Sequence, residues 1–210
     1  NFGTMTKPLH PGDAAAGGLG AARLAQAGFT ADQGILEAPQ GFFAVFGQGE
    51  VKPVDFGPSA PLELERSGVA LKVYPCCGCT HCGIDATLDL AEAHRFSPEE
   101  VESILVRGTE LAPRILIHHN PRTPLEAKFS MEYCVAAALV DGQVGLAQFE
   151  PDRVLAPEIR TVLSRVRFVG DPGIPLIDGR LATDVTITLR DGRELRQRVD
   201  IHRGQPERPP

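Results

Sequence analysis

Small apolar residues recur at helical spacing early in the chain, where Ala14, Gly18, Ala21 and Ala25 share one stripe and Leu19 and Leu24 are the only large apolar side chains. Gly12-Asp13 supplies an N-cap and Gly28 a C-terminal stop, so the pattern predicts a helix over residues 13–27. Glycines inside a helix cost about 1 kcal/mol each relative to Ala. A stripe this small therefore asks for close helical neighbours, and a bare surface helix is the alternative. Pro39 opens a second short helix over 39–46. Residues 47–61, rich in Gly, Pro and polar side chains, read as a linker. Beyond it, Val69, Leu71 and Val73 alternate with Ala70, Lys72 and Tyr74, the period of a strand over 69–74.

The second half alternates helix and strand patterns. A helix is predicted over 80–94, and Ser97-Pro98-Glu99-Glu100 is a capping box with Pro at the first helical position. Apolar runs at 104–106 and 115–117 are strand candidates. Residues 125–141 predict a long helix, charged early, nearly all apolar late, deeply buried and ended by Gly142. A shorter helix follows over 157–164. Residues 185–189 alternate, Asp191-Gly192 supplies a type I′ turn, and Leu195, Val199 and Ile201 alternate again, which predicts a β-hairpin. The polar, Pro-rich residues 204–210 read as a frayed tail. Helices first, then mixed strands and helices, predict an α+β domain with a mixed or antiparallel sheet, preceded by a piece of a helical domain.

Composition narrows the function. The 210 residues are 42% hydrophobic and 23% charged, with a formal net charge of -6, which argues against a broad electrostatic grip on nucleic acid or an anionic membrane. No apolar run approaches a membrane span. The chain opens without Met inside what reads as a motif, so it is read as a piece of a longer protein. Four of its five cysteines crowd into Cys76-Cys77-Gly78-Cys79-Thr80-His81-Cys82, unlike the spacing of a secreted disulfide scaffold, and a cytoplasmic setting is expected.

Candidate chemistry gathers in four places. Gly3-Thr4-Met5-Thr6-Lys7-Pro8-Leu9-His10 sets an ammonium and an imidazole around a proline, in a stretch read as stiff and non-helical just before a helix N-terminus. Lys7, His10 and the free N–H groups of residues 12–14 are a candidate carboxylate holder, against an exposed Lys and a turn His. Lys72 precedes the cysteine loop, and His81 at a helix start is either a neutral general base or a structural His. The cysteines are a candidate metal site, with Cys79-x-x-Cys82 as a half-site; adjacent Cys76-Cys77 is poor chelate geometry and only Cys134 remains to complete it, so buried thiols are the competing reading. Arg122, in the Pro-rich loop after His118-His119, is placed to clamp a carboxylate or to be solvated. Tyr133 is buried in the long helix, where its hydroxyl needs a substrate or a backbone carbonyl as partner.

Taken in order, the Gly3 to Gly12 motif with Ala14-Ala15, then Lys72-x-Tyr74-Pro75 with His81 and Asp85-Ala86, then Leu125-Glu126-Ala127-Lys128-Phe129-Ser130-x-x-Tyr133 resemble the C-terminal half of the MmgE/PrpD family over most of the chain. That family includes 2-methylcitrate dehydratase, cis-aconitate decarboxylase and an iminodisuccinate epimerase. The resemblance implies that residues 1–50 are the last helices of a large helical domain, 51–203 a smaller α+β domain, and 204–210 a disordered tail. It further implies a site between the domains, no cofactor, a homodimer, and an absent N-terminal helical half that supplies further catalytic groups. Carried over by motif, His81 and Lys7 are expected to be catalytic and Lys72, Tyr133, His10 and Arg122 to bind substrate, with no metal. Decarboxylase-type members place a functional His nearer the Pro, where this chain has Cys77. The expected activity is accordingly that of a hydro-lyase on a small polycarboxylate such as 2-methylcitrate. Its alternatives are a dicarboxylate epimerase, a cysteine-rich metal-binding module, or one subunit of a split enzyme.

Overall fold

The computed structural model describes residues 2–47, 62–176 and 181–210. The expected linker at 47–61 therefore lies, Gly47 apart, outside the described residues. Two compact units are present: Asn1–Lys7 with Val69–Pro210, and Pro8–Gly68.

Helix α1 spans Thr6–Gln26 and α2 Phe42–Phe46; α3 follows at Glu63–Ser67. The start of α1 at Thr6 corrects the expectation that the stretch from Gly3 to His10 is stiff and non-helical. Pro8 falls in the first turn, where its missing N–H has no intrahelical partner anyway, and Pro11 is carried inside the helix. Residues 12–14 consequently lie within α1 and offer no free helix-end N–H groups. Among the described residues the Ala/Gly stripe meets no neighbour: α1 buries no residue, and Leu19 and Leu24 are 57% and 53% exposed. Before α2 the chain turns through hydrogen bonds from Gly41 N–H to the Ala38 carbonyl (2.7 Å) and from Phe42 N–H to the Ile35 carbonyl (2.9 Å), which delays the helix past Pro39.

The other unit is built on a four-stranded sheet, in the order β2-β1-β3-β4: β1 is Val101–Gly108, β2 Val166–Gly170, β3 Thr183–Leu189 and β4 Glu194–Val199. Strand β1 pairs parallel with β2 and antiparallel with β3, and β3 pairs antiparallel with β4, so the sheet is mixed. Register places Ile104 opposite Val166 and Ile187, Val106 opposite Phe168 and Val185, and Ile187 opposite Leu195. That row is the buried face. The opposite face is polar, with Arg196 bidentate on Asp184 (Nε to Oδ1 3.0 Å, Nη2 to Oδ2 2.5 Å) and Arg107 3.6 Å from the same carboxylate.

Two helices cover the buried face. Helix α4, Gly78–His94, packs on β3 and β4; α7, Met131–Asp141, packs on α4 and β2. Between β1 and α7 come α5 (Ala112–Ile115) and α6 (Pro124–Ala127); after α7, α8 (Pro151–Val154) and α9 (Pro157–Leu163), the latter against α7. Ala136, Ala137 and Ala138 are fully buried and allow α7 this close approach. Gly83 of α4 is the tightest point: a Cβ there would lie 2.7 Å from Met131 Sδ, and Met131 is itself fully buried. Gly83→Val is expected to destabilise this unit by about 1–3 kcal/mol through overpacking, read as a lower urea midpoint at unchanged slope.

Several elements depart from expectation. Residues 69–74 form no strand; they are held by the Leu71 N–H to Gly204 carbonyl bond (2.7 Å) and by the side chains of Lys72, on the Cys76 carbonyl, and Tyr74, on Asp85. Val69 and Leu71 are 59% and 55% exposed, Ala70 and Lys72 are exposed as well, and only Tyr74 is buried, so the alternation of residue types is not matched by an alternation of burial. Residues 115–117 are no strand either, because Pro113 sits in the first turn of α5 and the Leu116 N–H bonds back to the Ala112 carbonyl at 2.9 Å. The long helix of 125–141 is broken: Thr123 caps α6 and Ser130 caps α7 by accepting from the Tyr133 N–H (3.2 Å). The hairpin is present, but its turn is a three-residue loop in which only Gly192 has positive φ (88°), closed by the Leu189 N–H to Arg193 carbonyl bond (2.9 Å). A type I′ turn would need Asp191 there as well.

The chain end, read as frayed, is instead anchored. Asp85 and Asp89 lie one turn apart on α4 and hold both Arg203 and Arg208. Asp85 is fully buried, and also accepts from the Tyr74 hydroxyl and from the Arg203 N–H (2.7 Å). Composition alone could not reveal this, because the arginines that look like solvated tail residues are counter-ions of a carboxylate far off in sequence.

Candidate functional site

Three short segments meet at the N-terminus of α4. Cys77 is the N-cap residue of that helix; its carbonyl accepts from the Thr80 N–H (2.9 Å) and the Thr80 hydroxyl (2.8 Å). The Cys77 N–H donates to the Lys128 carbonyl (2.9 Å), which docks the break between α6 and α7 against the start of α4. Lys72 folds back so that Nζ donates to the Cys76 carbonyl at 3.0 Å. The third segment is the arm before α1. Gly3 has φ of +68°, and a Cβ there would lie 2.5 Å from His118 Nε2, so this approach needs glycine. Phe2 stacks at 6.4 Å on Phe129.

The result is a recess of about 330 Å³ lined by Lys7, Lys72, Pro75, Cys76, Cys77, Lys128 and Phe129. No carboxylate is among these lining residues, and three lysines line one small space. Two thiols share it. Cys76 is buried, with Sγ 3.0 Å from the Thr80 hydroxyl, and is the first to ionise of its pair with Cys134, which complete burial pushes up. Cys77 is only half-buried. The neighbouring Cys79 thiol hydrogen-bonds to it and lowers its pKa to about 7, against the opposing effect of burial and with help from the charge of Lys72. Cys82, deeper in the helix, is pushed up to about 12 by burial.

Of the residues expected to form a site, Lys7 and Lys72 are brought together. The others are not in the recess. His81 sits in the first turn of α4 as expected but faces inward, fully buried, its ring 5.1 Å from that of Tyr74 and 4.7 Å from that of His202. Among the described residues neither ring nitrogen makes a well-formed hydrogen bond, and the ring lies close enough to the Cys76 thiol to lower its pKa. Tyr133 is fully buried and its hydroxyl donates to the Gln148 carbonyl, so the backbone alternative is the one observed. Burial also raises the Tyr133 pKa. Arg122 is exposed, its N–H donating to Glu126 Oε2 at 2.7 Å. His10 is an exposed residue of α1 in the other unit. The cysteines do not converge: among the described residues no cluster of three or more His, Cys, Asp or Glu side chains is arranged to hold a metal ion. Cys76, Cys79 and Cys82 instead pack as small apolar residues in the core.

Lys128 is the residue that sequence reasoning missed. Read as one charge on a long helix, it falls in the break between two short ones, its ammonium 5.7 Å above the Phe149 ring. Two successive cap signals, Thr123 with Glu126 and then Ser130, could have exposed that break.

Residues 74–210 match the MmgE/PrpD C-terminal domain and residues 1–54 the MmgE/PrpD N-terminal domain. The cis-aconitate decarboxylase of Mus musculus is 29% identical over 215 residues, covering 100% of this chain and 44% of the mouse protein. The human cis-aconitate decarboxylase is 28% identical with the same coverage, and one from Aspergillus terreus is 26% identical over 95% of this chain and 44% of its own length. The chain thus spans less than half the length of these curated relatives.

Proposed function

Because this chain belongs to the MmgE/PrpD family, we propose that it carries the anion-holding part of a cofactor-independent lyase that moves a proton on a small polycarboxylate. The observation behind this reading is the convergence of Lys7, Lys72 and Lys128 on one recess of about 330 Å³. That volume is near the lower end of small-molecule sites, roughly 300–1,000 Å³, and suits a compact metabolite. A substrate with two or three carboxylates needs several cations. Those cations also stabilise the negative charge that grows on a carboxylate when the neighbouring carbon is deprotonated. Dehydration of 2-methylcitrate is the reaction read from the motifs. The names of the relatives favour a second reading, decarboxylation of cis-aconitate. Both reactions leave an electron pair on a carbon beside a carboxylate, so the same lysines serve either.

The test is a direct assay of the full-length protein, dialysed against a chelator, with each acid in turn. Proton NMR showing the unsaturated acid formed from 2-methylcitrate, with no trapped CO2, is the expected result. Release of CO2 from cis-aconitate would select the second reading. Inertness toward both acids would end the polycarboxylate reading.

A further inference from the structure

We propose that Cys77 is the group that moves the proton in this recess, a reading that rests on the polycarboxylate function above. The lining residues leave few alternatives. Lys7, Lys72 and Lys128 bring ammonium groups, which donate hydrogen bonds but have no lone pair to take a proton. Pro75 and Phe129 are inert in acid–base terms. Cys76 is buried and engaged with Thr80. His81 is enclosed by Tyr74 and His202 and does not reach the space.

Cys77 remains, and its position suits the task. It is half-buried and lines the recess, at the N-cap of the 17-residue α4, where the helix dipole favours a thiolate. Its N–H to Lys128 carbonyl bond fixes it beside one of the cations that hold the substrate. An ionisation near 7 is what a base working at neutral pH requires.

The step balances without a second group. The Cys77 thiolate takes a proton from the carbon next to a carboxylate: the C–H bond breaks, an S–H bond forms, and the electron pair is delocalised into the lysine-held carboxylate. That pair then forms the C=C bond as the C–O bond breaks. The leaving hydroxide takes the proton from the thiol and departs as water, which returns the thiolate.

The experiment uses the full-length protein. Cys77→Ser and Cys77→Ala are expected to lower kcat by about 10²–10⁴-fold while KM stays close to wild type, because the lysines still hold the substrate. Wild-type kcat/KM should rise as pH passes through about 7, since the thiolate is the active form. Iodoacetamide should alkylate the Cys77 peptide, scored by mass spectrometry, with a rate that rises through the same pH and is slowed by tricarballylate. This alkylation measurement stands even where a Cys77 variant fails to fold. Wild-type kcat in Cys77→Ser, or alkylation that begins only near the pH of an ordinary thiol, about 8.5, overturns the role of Cys77. If tricarballylate protects Cys77 while the Cys77 variants keep full turnover, the polycarboxylate reading survives and the base lies elsewhere. Absence of protection, with Lys72→Ala also at wild-type turnover, brings down both.

Discussion

Full-length protein carrying Lys72→Ala is expected to lose about 10²–10³-fold in kcat/KM, and Lys7→Ala a similar factor, with unfolding midpoints unchanged. The two effects separate from stability for a structural reason. Both side chains are exposed, and residues 69–74 sit outside the sheet. Neither ammonium is therefore part of the core. Lys72 is additionally held by the Cys76 carbonyl, so its charge is positioned before substrate arrives. Lys72→Arg keeps the charge but replaces a compact ammonium by a broad planar fork in a recess of about 330 Å³, and should recover only part of the loss. Wild-type turnover in both alanine variants would remove this recess from the chemistry.

Asp85→Ala is expected to be the most destabilising single change, on the order of 3 kcal/mol or more. The carboxylate is fully enclosed and serves four partners: the Tyr74 hydroxyl, the Arg203 N–H and the two guanidinium groups. Removing it strands a buried phenol and a backbone donor. The arginine side chains are each 34% exposed and regain some water, which holds the cost below that of a fully buried ion triad. Asp85→Asn keeps the volume and one acceptor and should cost less. Urea unfolding reads both; an unchanged midpoint in Asp85→Ala would mean that the Asp85–arginine cluster contributes nothing to holding the chain end.

Sequence periodicity located α4, α9, the β3–β4 hairpin and the Ser97 capping box, because each is decided by residues within one or two turns. It failed where the outcome depends on distant partners. Strand β2 is five residues with Arg167 at its second position, and becomes a strand only by pairing parallel to β1. Residues 69–74 have strand period but no partner to pair with. For the site, Lys7 and Lys72 were readable from their motifs. The inward turn of His81 was not, since it depends on Tyr74 and on His202 far along the chain. Nor was Lys128, whose place depends on a helix break at Ser130. Asp85 is the opposite case: part of a quoted motif, it turns out to hold the fold together.

The clamp of Asp85 and Asp89 on Arg203 and Arg208 sets an order of events during synthesis. Helix α4 leaves the ribosome more than a hundred residues before its counter-charges do, so its inner carboxylate must wait, hydrated, until position 208 has cleared the exit tunnel.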